Sequence, residues 1–163
     1  MEFIKKPLSE ITRTELRNLR QNCLQNGMLR LYLDYYEEES ELAAMDDSSH
    51  NFSGPNYYDA EIIQCFENHK FIGWALAGND FTFNNPDKQT GTLHIYIRPE
   101  YRKQKYGQVL FKAAIDHMIS ESKYNFTSYN LYPHDEVSNN FYQSNIIQSF
   151  VDSKNIVLNI TML

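Results

Sequence analysis

The spacing of apolar residues predicts two helices in the first third of the chain. A capping box at Thr12 and Glu15 begins a run with helical periodicity, and Gly27 is placed to end it. A second helical stripe runs from Leu29 to Tyr36 and passes into an acidic stretch. Residues 46–58 have the composition of a loop, and the length of this loop makes it a candidate lid over a functional site.

The middle of the chain changes to the period of β-strands. The predicted strands cover residues 60–66, 70–77 and 92–97. A hairpin turn at 67–69 joins the first two, and the turn-rich segment 78–89 leads to the third. Pro99 ends the third strand, because proline lacks the amide donor that a ladder needs. Residues 3–6 are a further strand candidate at the start of the chain.

The last third of the chain alternates helical and strand patterns. A long helix with a broad apolar face is predicted over 106–122, followed by a strand over 128–132 and a short helix over 137–144. Two closing strands are predicted at 146–151 and 155–161. This order of elements predicts the α+β class, with one sheet and flanking helices in a single domain spanning 1–163.

Composition narrows the class of protein. The formal net charge of −6 disfavours binding to a nucleic-acid backbone. No apolar run reaches the roughly 18 residues of a membrane span, and the first residues have no apolar core of a signal peptide. We therefore expect a cytoplasmic protein that does not act at a membrane. Cys23 and Cys65 stand apart from any metal-binding spacing, so the sequence predicts neither a disulfide nor a metal site.

The distribution of charge points to an anion site. Six acids and no base lie between Glu37 and Asp47, whereas four bases and one acid lie between Arg98 and Lys105. The basic segment leads directly into the predicted long helix. Free amides and the positive dipole end of a helix, with bases alongside, favour a pyrophosphate group. Gly107 would let phosphates approach the backbone closely, although an ordinary solvated basic turn has the same composition.

The stretch from Ile95 to Leu110 resembles the acyl-CoA signature of the GCN5-related N-acetyltransferases, the GNAT family. The family pattern is Gln/Arg-x-x-Gly-x-Gly/Ala after a strand, and here Arg102 and Gly107 occupy its first and last positions. Lys105 stands where the middle glycine usually sits. Residues 131–145 resemble the next strand and helix of the family, in which the pair Phe141-Tyr142 matches outright. We call residues 102–108 the signature turn.

The resemblance implies α/β/α layers around a mixed central sheet that is splayed at the acyl-CoA strand. It also implies direct transfer of an acetyl group from acetyl-CoA, as acyl-donor co-substrate, to an amine, with no metal. The positions expected to bind the co-substrate are Ile95, Tyr96, Ile97, Arg102, Lys103, Gln104, Lys105, Tyr106, Gly107, Gln108, Asp135 and Ser138.

The resemblance makes Tyr142 the expected acid that protonates the departing thiolate. The attacking amine must lose a proton, and the base is open between His94 and Glu61. Histidine exchanges protons near neutral pH, but strand alternation places His94 opposite Leu93 and Ile95. His134 and Asp135 follow a later strand and are weaker alternatives.

The acidic run favours a cationic acceptor, such as a polyamine, an aminoglycoside-like amine, or the amine of a protein or peptide. A different function remains open, because Lys105 and Asp135 depart from the family pattern and the strand lacks the carboxylate common in relatives. A relative that binds acyl-CoA or a protein partner without catalysis would have such departures. The sequence also leaves a homodimer open as the oligomeric state.

Overall fold

The computed structural model describes residues 1–7, 10, 11, 15, 60–79, 90–133 and 135–162. The strands within this part of the chain are β1 (Glu2–Pro7), β2 (Ala60–Glu67), β3 (Lys70–Asn79), β4 (Thr90–Ile97), β5 (Ser128–Leu131) and β6 (Val157–Ile160). The helices are α1 (Tyr106–Ser120), α2 (Glu136–Gln143) and α3 (Asn145–Ser153), and a 3₁₀ helix covers Pro99–Tyr101. The two helices predicted within 12–36 and the loop at 46–58 lie outside the described residues.

The strands lie in the sheet in their order along the chain, from β1 to β6. Strands β1 to β4 are antiparallel neighbours, whereas β5 pairs in parallel with β4 and β6 pairs in parallel with β5. The ladder between β4 and β5 covers only Thr90–Thr92 against Ser128–Asn130, although β4 continues to Ile97. The two strands therefore separate beyond Thr92, which confirms the predicted α+β class with a mixed sheet splayed at this strand.

The hairpin between β2 and β3 has a shorter turn than the sequence predicted. Glu67 belongs to β2, and the turn consists of Asn68 and His69 alone. Both have positive φ, 51° and 63°, as the two central residues of a type I′ turn require. This turn type matches the right-handed twist of the strands and so explains the tight connection.

One face of the sheet carries the apolar core. Helix α1 packs its buried side chains on this face, and α2 and α3 extend the same core through Tyr142 and Ile147. The residues that α1 buries are Leu110, Phe111, Ala114, Ile115 and Met118. Their spacing is that of one stripe along a helix, as the sequence predicted.

The opposite face of the sheet carries Gln64, Trp74, His94 and Tyr96. The rings of Trp74 and Tyr96 stack with their centroids 6.1 Å apart. The Gln64 amide donates a hydrogen bond of 2.5 Å to Glu15, whose other carboxylate oxygen accepts one of 2.6 Å from Lys6. These contacts place Glu15 on the face of the sheet opposite α1.

The prediction of a strand at 146–151 is wrong, because these residues belong to α3. Ile147 and Val151 are buried four residues apart, whereas Ile146 is half exposed, which is a helical rather than an alternating pattern. Ser144 caps the helix by accepting a hydrogen bond from the amide of Ile147. A short apolar run fits both periods, and the cap decides between them.

We expect Gly73→Ala to destabilise the sheet by about 1–3 kcal/mol, the usual cost of inserting atoms into a packed site. A Cβ atom at Gly73 would lie 2.1 Å from the backbone oxygen of Tyr96, so β3 and β4 would have to move apart. Urea unfolding measures the change as a lower midpoint at constant m. Gly107→Ala is the control, since its Cβ would meet the Phe141 ring at an ordinary 3.4 Å. Equal stabilities of the two variants would contradict this account of the close strand approach.

Candidate active site

The signature turn follows the 3₁₀ helix after β4 and leads into α1. Lys103 and Lys105 adopt left-handed backbone conformations, with φ of 62° and 69°. A side chain in this conformation costs roughly 1 kcal/mol relative to glycine. The left-handed backbone at Lys105 explains why the family motif has a glycine at this position. Lysine at this position therefore adds backbone strain to the turn.

The start of α1 presents amide donors toward the turn. The first helical hydrogen bond runs from the amide of Val109 to the carbonyl of Lys105, with a length of 3.3 Å. The amides of residues 106–108 precede it and have no acceptor within the helix. The positive end of the helix dipole lies at the same place, and Lys103 and Lys105 are exposed beside it. This arrangement can bind a phosphate or pyrophosphate group.

Side chains of the turn stabilise its backbone. Arg102 donates through Nε to the carbonyl oxygen of Ile97, 2.8 Å away, and Gln104 donates to the carbonyl oxygen of Glu100 over 3.2 Å. The Tyr106 hydroxyl donates to the carboxylate of Glu67, and this hydrogen bond raises the pKa of Tyr106. Arg102 and Gln104 thus fix the shape of the turn, and Tyr106 ties the start of α1 to the β2–β3 hairpin.

Gly107 has a neighbour that the sequence did not reveal. A Cβ atom there would lie 3.4 Å from the ring of Phe141 on α2. Gly107 therefore lies where α1 meets α2, and an added methyl group would make an ordinary contact there.

Tyr142 reaches the splay between β4 and β5. Its ring is buried against Phe111 and Phe141, with centroid distances of 6.2 Å and 5.2 Å. Its hydroxyl takes part in a hydrogen bond with the backbone of Ile95 on β4, beyond the last residue that pairs with β5. Burial raises the pKa of Tyr142 more than this hydrogen bond lowers it. The phenol is therefore protonated at neutral pH.

His94 lies on the opposite face of β4 from Tyr142. It is buried beside Leu76 of β3, and its Nε2 atom lies 3.4 Å from the Thr92 hydroxyl. The alternation along the strand is thus as the sequence indicated, with Leu93 and Ile95 facing the α1 core. The structure places His94 one residue from the backbone that Tyr142 contacts, but on the other side of the sheet.

Glu61 is held by residues at the other end of α1. Its Oε1 atom lies 3.1 Å from His117 Nε2, and its Oε2 atom lies 3.4 Å both from Lys123 Nζ and from the Tyr124 hydroxyl. In the sheet Glu61 is aligned with Leu93 but two strands from β4, a separation of about 10 Å. The structure therefore does not bring Glu61 to the splay, and we leave it out of the proposed mechanism.

The structure also describes the surroundings of Asp135 and Cys65, which the sequence analysis singled out. Asp135 caps α2, because its carboxylate accepts a 2.8 Å hydrogen bond from the backbone amide of Ser138. Cys65 is buried, and burial raises the pKa of its thiol to about 11, so it is an unreactive core residue at neutral pH. Cys23 and His134 lie outside the described residues.

Comparison with known proteins agrees with this architecture. The model of the acetyltransferase (GNAT) family matches residues 25–145, and the chain belongs to this family. A comparison with curated proteins finds no match. Among the described helices, none has both the length and the apolar character to cross a membrane.

Solved structures share the fold at low sequence identity. One is the PaiA N-acetyltransferase from Thermoplasma acidophilum in complex with coenzyme A, with 16% identity, a TM-score of 0.51 and 89% of each chain covered. Another is an integron cassette protein from the mobile metagenome of V. cholerae, with 17% identity and a TM-score of 0.50, covering 88% of this chain and 83% of that one. The likeness to the N-acetyltransferase supports the GNAT fold.

Proposed function

We propose that this protein is an acetyl-CoA-dependent N-acetyltransferase that moves an acetyl group directly to an amine. The observation that carries the proposal is the position of the Tyr142 hydroxyl at the backbone of Ile95, where β4 and β5 have separated. A protonated phenol at this opening, with the α1 N-terminus near the same end of β4, suits a reaction whose leaving group is a thiolate.

The described residues offer a fitting cradle for the acyl donor. Acetyl-CoA would supply the acetyl group as an activated thioester, and coenzyme A would leave as the free thiol. The amides of the signature turn and the ammonium groups of Lys103 and Lys105 would bind its pyrophosphate, since Arg102 is engaged with the Ile97 carbonyl. The β4 backbone from Ile95 to Ile97 lies beyond the ladder with β5, and the pantetheine arm would lie alongside it as a neighbouring strand would.

The amine attacks in its neutral form, so a cationic acceptor first releases one proton to solvent. Two further proton movements complete the transfer. Tyr142 donates its phenolic proton to the sulfur as the carbon–sulfur bond breaks, and the amine gives up a proton as the new carbon–nitrogen bond forms. We assign the second proton to His94, because this residue lies next to Ile95 on β4 and its side chain is on the face of the sheet opposite Tyr142. Acid and base then act from two sides of one strand.

The acceptor in this proposal is a cationic amine, either a small molecule or the amine of a protein or peptide. Six acidic residues between Glu37 and Asp47 support this assignment, since a cluster of one sign raises the local concentration of the opposite charge. A panel of amines with detection of the released thiol identifies the acceptor. If acetyl-CoA binds and no amine is acetylated, the protein is the non-catalytic relative instead.

We expect acetyl-CoA to raise the thermal midpoint of the protein and Lys105→Glu to remove most of this rise. A ligand selective for the native state stabilises it by mass action, and a carboxylate at the α1 N-terminus would repel the pyrophosphate. Lys105→Gly is the matched variant, because it removes the charge and also relieves the left-handed strain of roughly 1 kcal/mol. It should raise the midpoint of the free protein and keep most of the acetyl-CoA response.

Differential scanning fluorimetry at low salt measures all three proteins. No rise in the wild type at millimolar acetyl-CoA would refute binding at this turn. An equal loss of the response in Lys105→Glu and Lys105→Gly would assign the effect to the lysine side chain, and a full response in Lys105→Glu would place the phosphates elsewhere.

A further inference from the structure

Three metal-ligating side chains converge at the end of α1 that is remote from the signature turn. His117 Nε2 lies 3.1 Å from Glu61 Oε1 and 3.9 Å from Glu121 Oε1. One ligand atom from each of the three residues lies within 4.8 Å of the other two. Because His117 follows Tyr106 by eleven residues on α1, about 16 Å of helix separates the start of the helix from this group. We call Glu61, His117 and Glu121 the Glu–His–Glu cluster.

The fold brings these three side chains close to one another. His117 lies in the last turn of α1, and Glu121 is the residue that follows the helix, with an extended backbone. The two residues are four positions apart, and their ligand atoms lie 3.9 Å from each other. The same spacing brings two ligands to one ion in helix-borne zinc sites. Glu61 comes from the second position of β2, so the cluster joins the sheet to the end of the helix.

The buried carboxylate of Glu61 is oriented by other groups. Lys123 and the Tyr124 hydroxyl both lie at its Oε2 atom, whereas its Oε1 atom faces His117. Lys123 and Tyr124 thus hold the Oε2 atom of Glu61, and its Oε1 atom faces the other two ligands. Groups outside the ligand set that hold a ligand in place are typical of metal sites in proteins.

The charges of the cluster also favour a cation. Two carboxylates and the ammonium group of Lys123 sum to −1 when the imidazole is neutral. The Glu61 side chain is only 2% exposed, and Lys123 pairs with its Oε2 atom, which leaves one uncompensated negative charge in the cluster. A divalent ion would neutralise both carboxylates at the point where they meet the imidazole.

We propose that the Glu–His–Glu cluster binds one divalent transition-metal ion, for which Zn²⁺ is the best match. Imidazole nitrogen and carboxylate oxygen bind zinc at about 2.0–2.2 Å, so ligands of a tetrahedral site lie about 3.4 Å apart. The distance of 3.1 Å to Glu61 is already close to this value, and the exposed side chain of Glu121 closes the longer one by a small rotation. The fourth position is left for water, and the ion would clamp the start of β2 to the end of α1.

The test uses the full chain without an affinity tag, stripped of metal and titrated with ZnCl₂ by calorimetry and with CoCl₂ by visible absorption. We expect one ion per chain, a d–d absorption band of bound Co²⁺, and a rise of the thermal midpoint that EDTA reverses. Glu121→Gln should weaken binding by at least about 10-fold, since even changes outside the ligand set have effects of this size in zinc proteins. His117→Gln should weaken it further.

Asp116→Asn is the matched control. Asp116 precedes His117 on α1 and carries the same negative charge as Glu121. Its exposed carboxylate pairs with Lys154 at 3.3 Å and lies outside the cluster. Absence of saturable one-to-one binding in the wild type would overturn the proposal, as would equal weakening by Asp116→Asn and Glu121→Gln. The acetyl-CoA response of the same samples is a separate readout, so failure of metal binding and failure of the proposed function are distinguishable.

Discussion

Replacing Tyr142 with phenylalanine should lower kcat about 10²–10⁴-fold, the usual contribution of a general acid, with little change in acetyl-CoA binding. The substitution keeps the ring that packs against Phe111 and Phe141, so the fold should remain intact. It removes only the hydroxyl that meets the backbone of Ile95. Single-turnover measurement of acetyl transfer isolates the chemical step from product release.

Tyr129→Phe is the control for Tyr142→Phe. Tyr129 is also a buried tyrosine whose pKa is raised by burial, but it lies on β5 within the ladder. Its replacement should leave kcat unchanged. An unchanged single-turnover rate in Tyr142→Phe would show that this hydroxyl serves packing or orientation only. A loss of acetyl-CoA binding at constant kcat would make it a binding group.

Phe111→Ala should lower the free energy of unfolding by about 3–5 kcal/mol, the cost of truncating a fully buried phenylalanine. Phe111 is 0% exposed, and its ring contacts Phe141, Tyr142 and Phe150 at centroid distances of 6.2–6.4 Å. It therefore joins α1 to both shorter helices. Because Tyr142 is one of its neighbours, the variant should also lose acetyl transfer under conditions where it remains folded.

Denaturant unfolding gives the free energy of the Phe111 variant. Val109→Ala is the comparison on the same helix, since Val109 is 39% exposed and substitutions at such positions usually change stability by no more than about 0.5 kcal/mol. If the two variants lose similar amounts of stability, the aromatic cluster does not hold the helices in place.

The sequence predicted the elements with strong periodicity and missed those that depend on distant neighbours. The strands at 60–66 and 70–77 are present and are buried on both faces of the sheet, and the long helix from Tyr106 is present and buries one stripe. The run at 146–151 was assigned the wrong type, because six residues are too few to separate the two periods.

The residues of the candidate site, like the elements of the fold, could be predicted from the sequence only in part. Motif resemblance located the signature turn and Tyr142, which lie in local sequence patterns. The packing of Gly107 on Phe141 and the meeting of Glu61 with His117 join residues that are far apart in the chain, so only the fold reveals them. The sequence contained the His117–Glu121 spacing, but the third ligand 56 residues away carried no signal.

The separation of β4 from β5 leaves an edge strand inside a sheet. Edge strands present unpaired backbone groups, and such edges are templates for aggregation in proteins that do not protect them. Here α2 lies at the opening, and Tyr142 reaches the backbone of Ile95. An opening that suits the extended arm of a substrate also suits an intruding strand of another molecule. Tyr142, which we propose as the catalytic acid, would therefore also hinder the pairing of another strand with this internal edge.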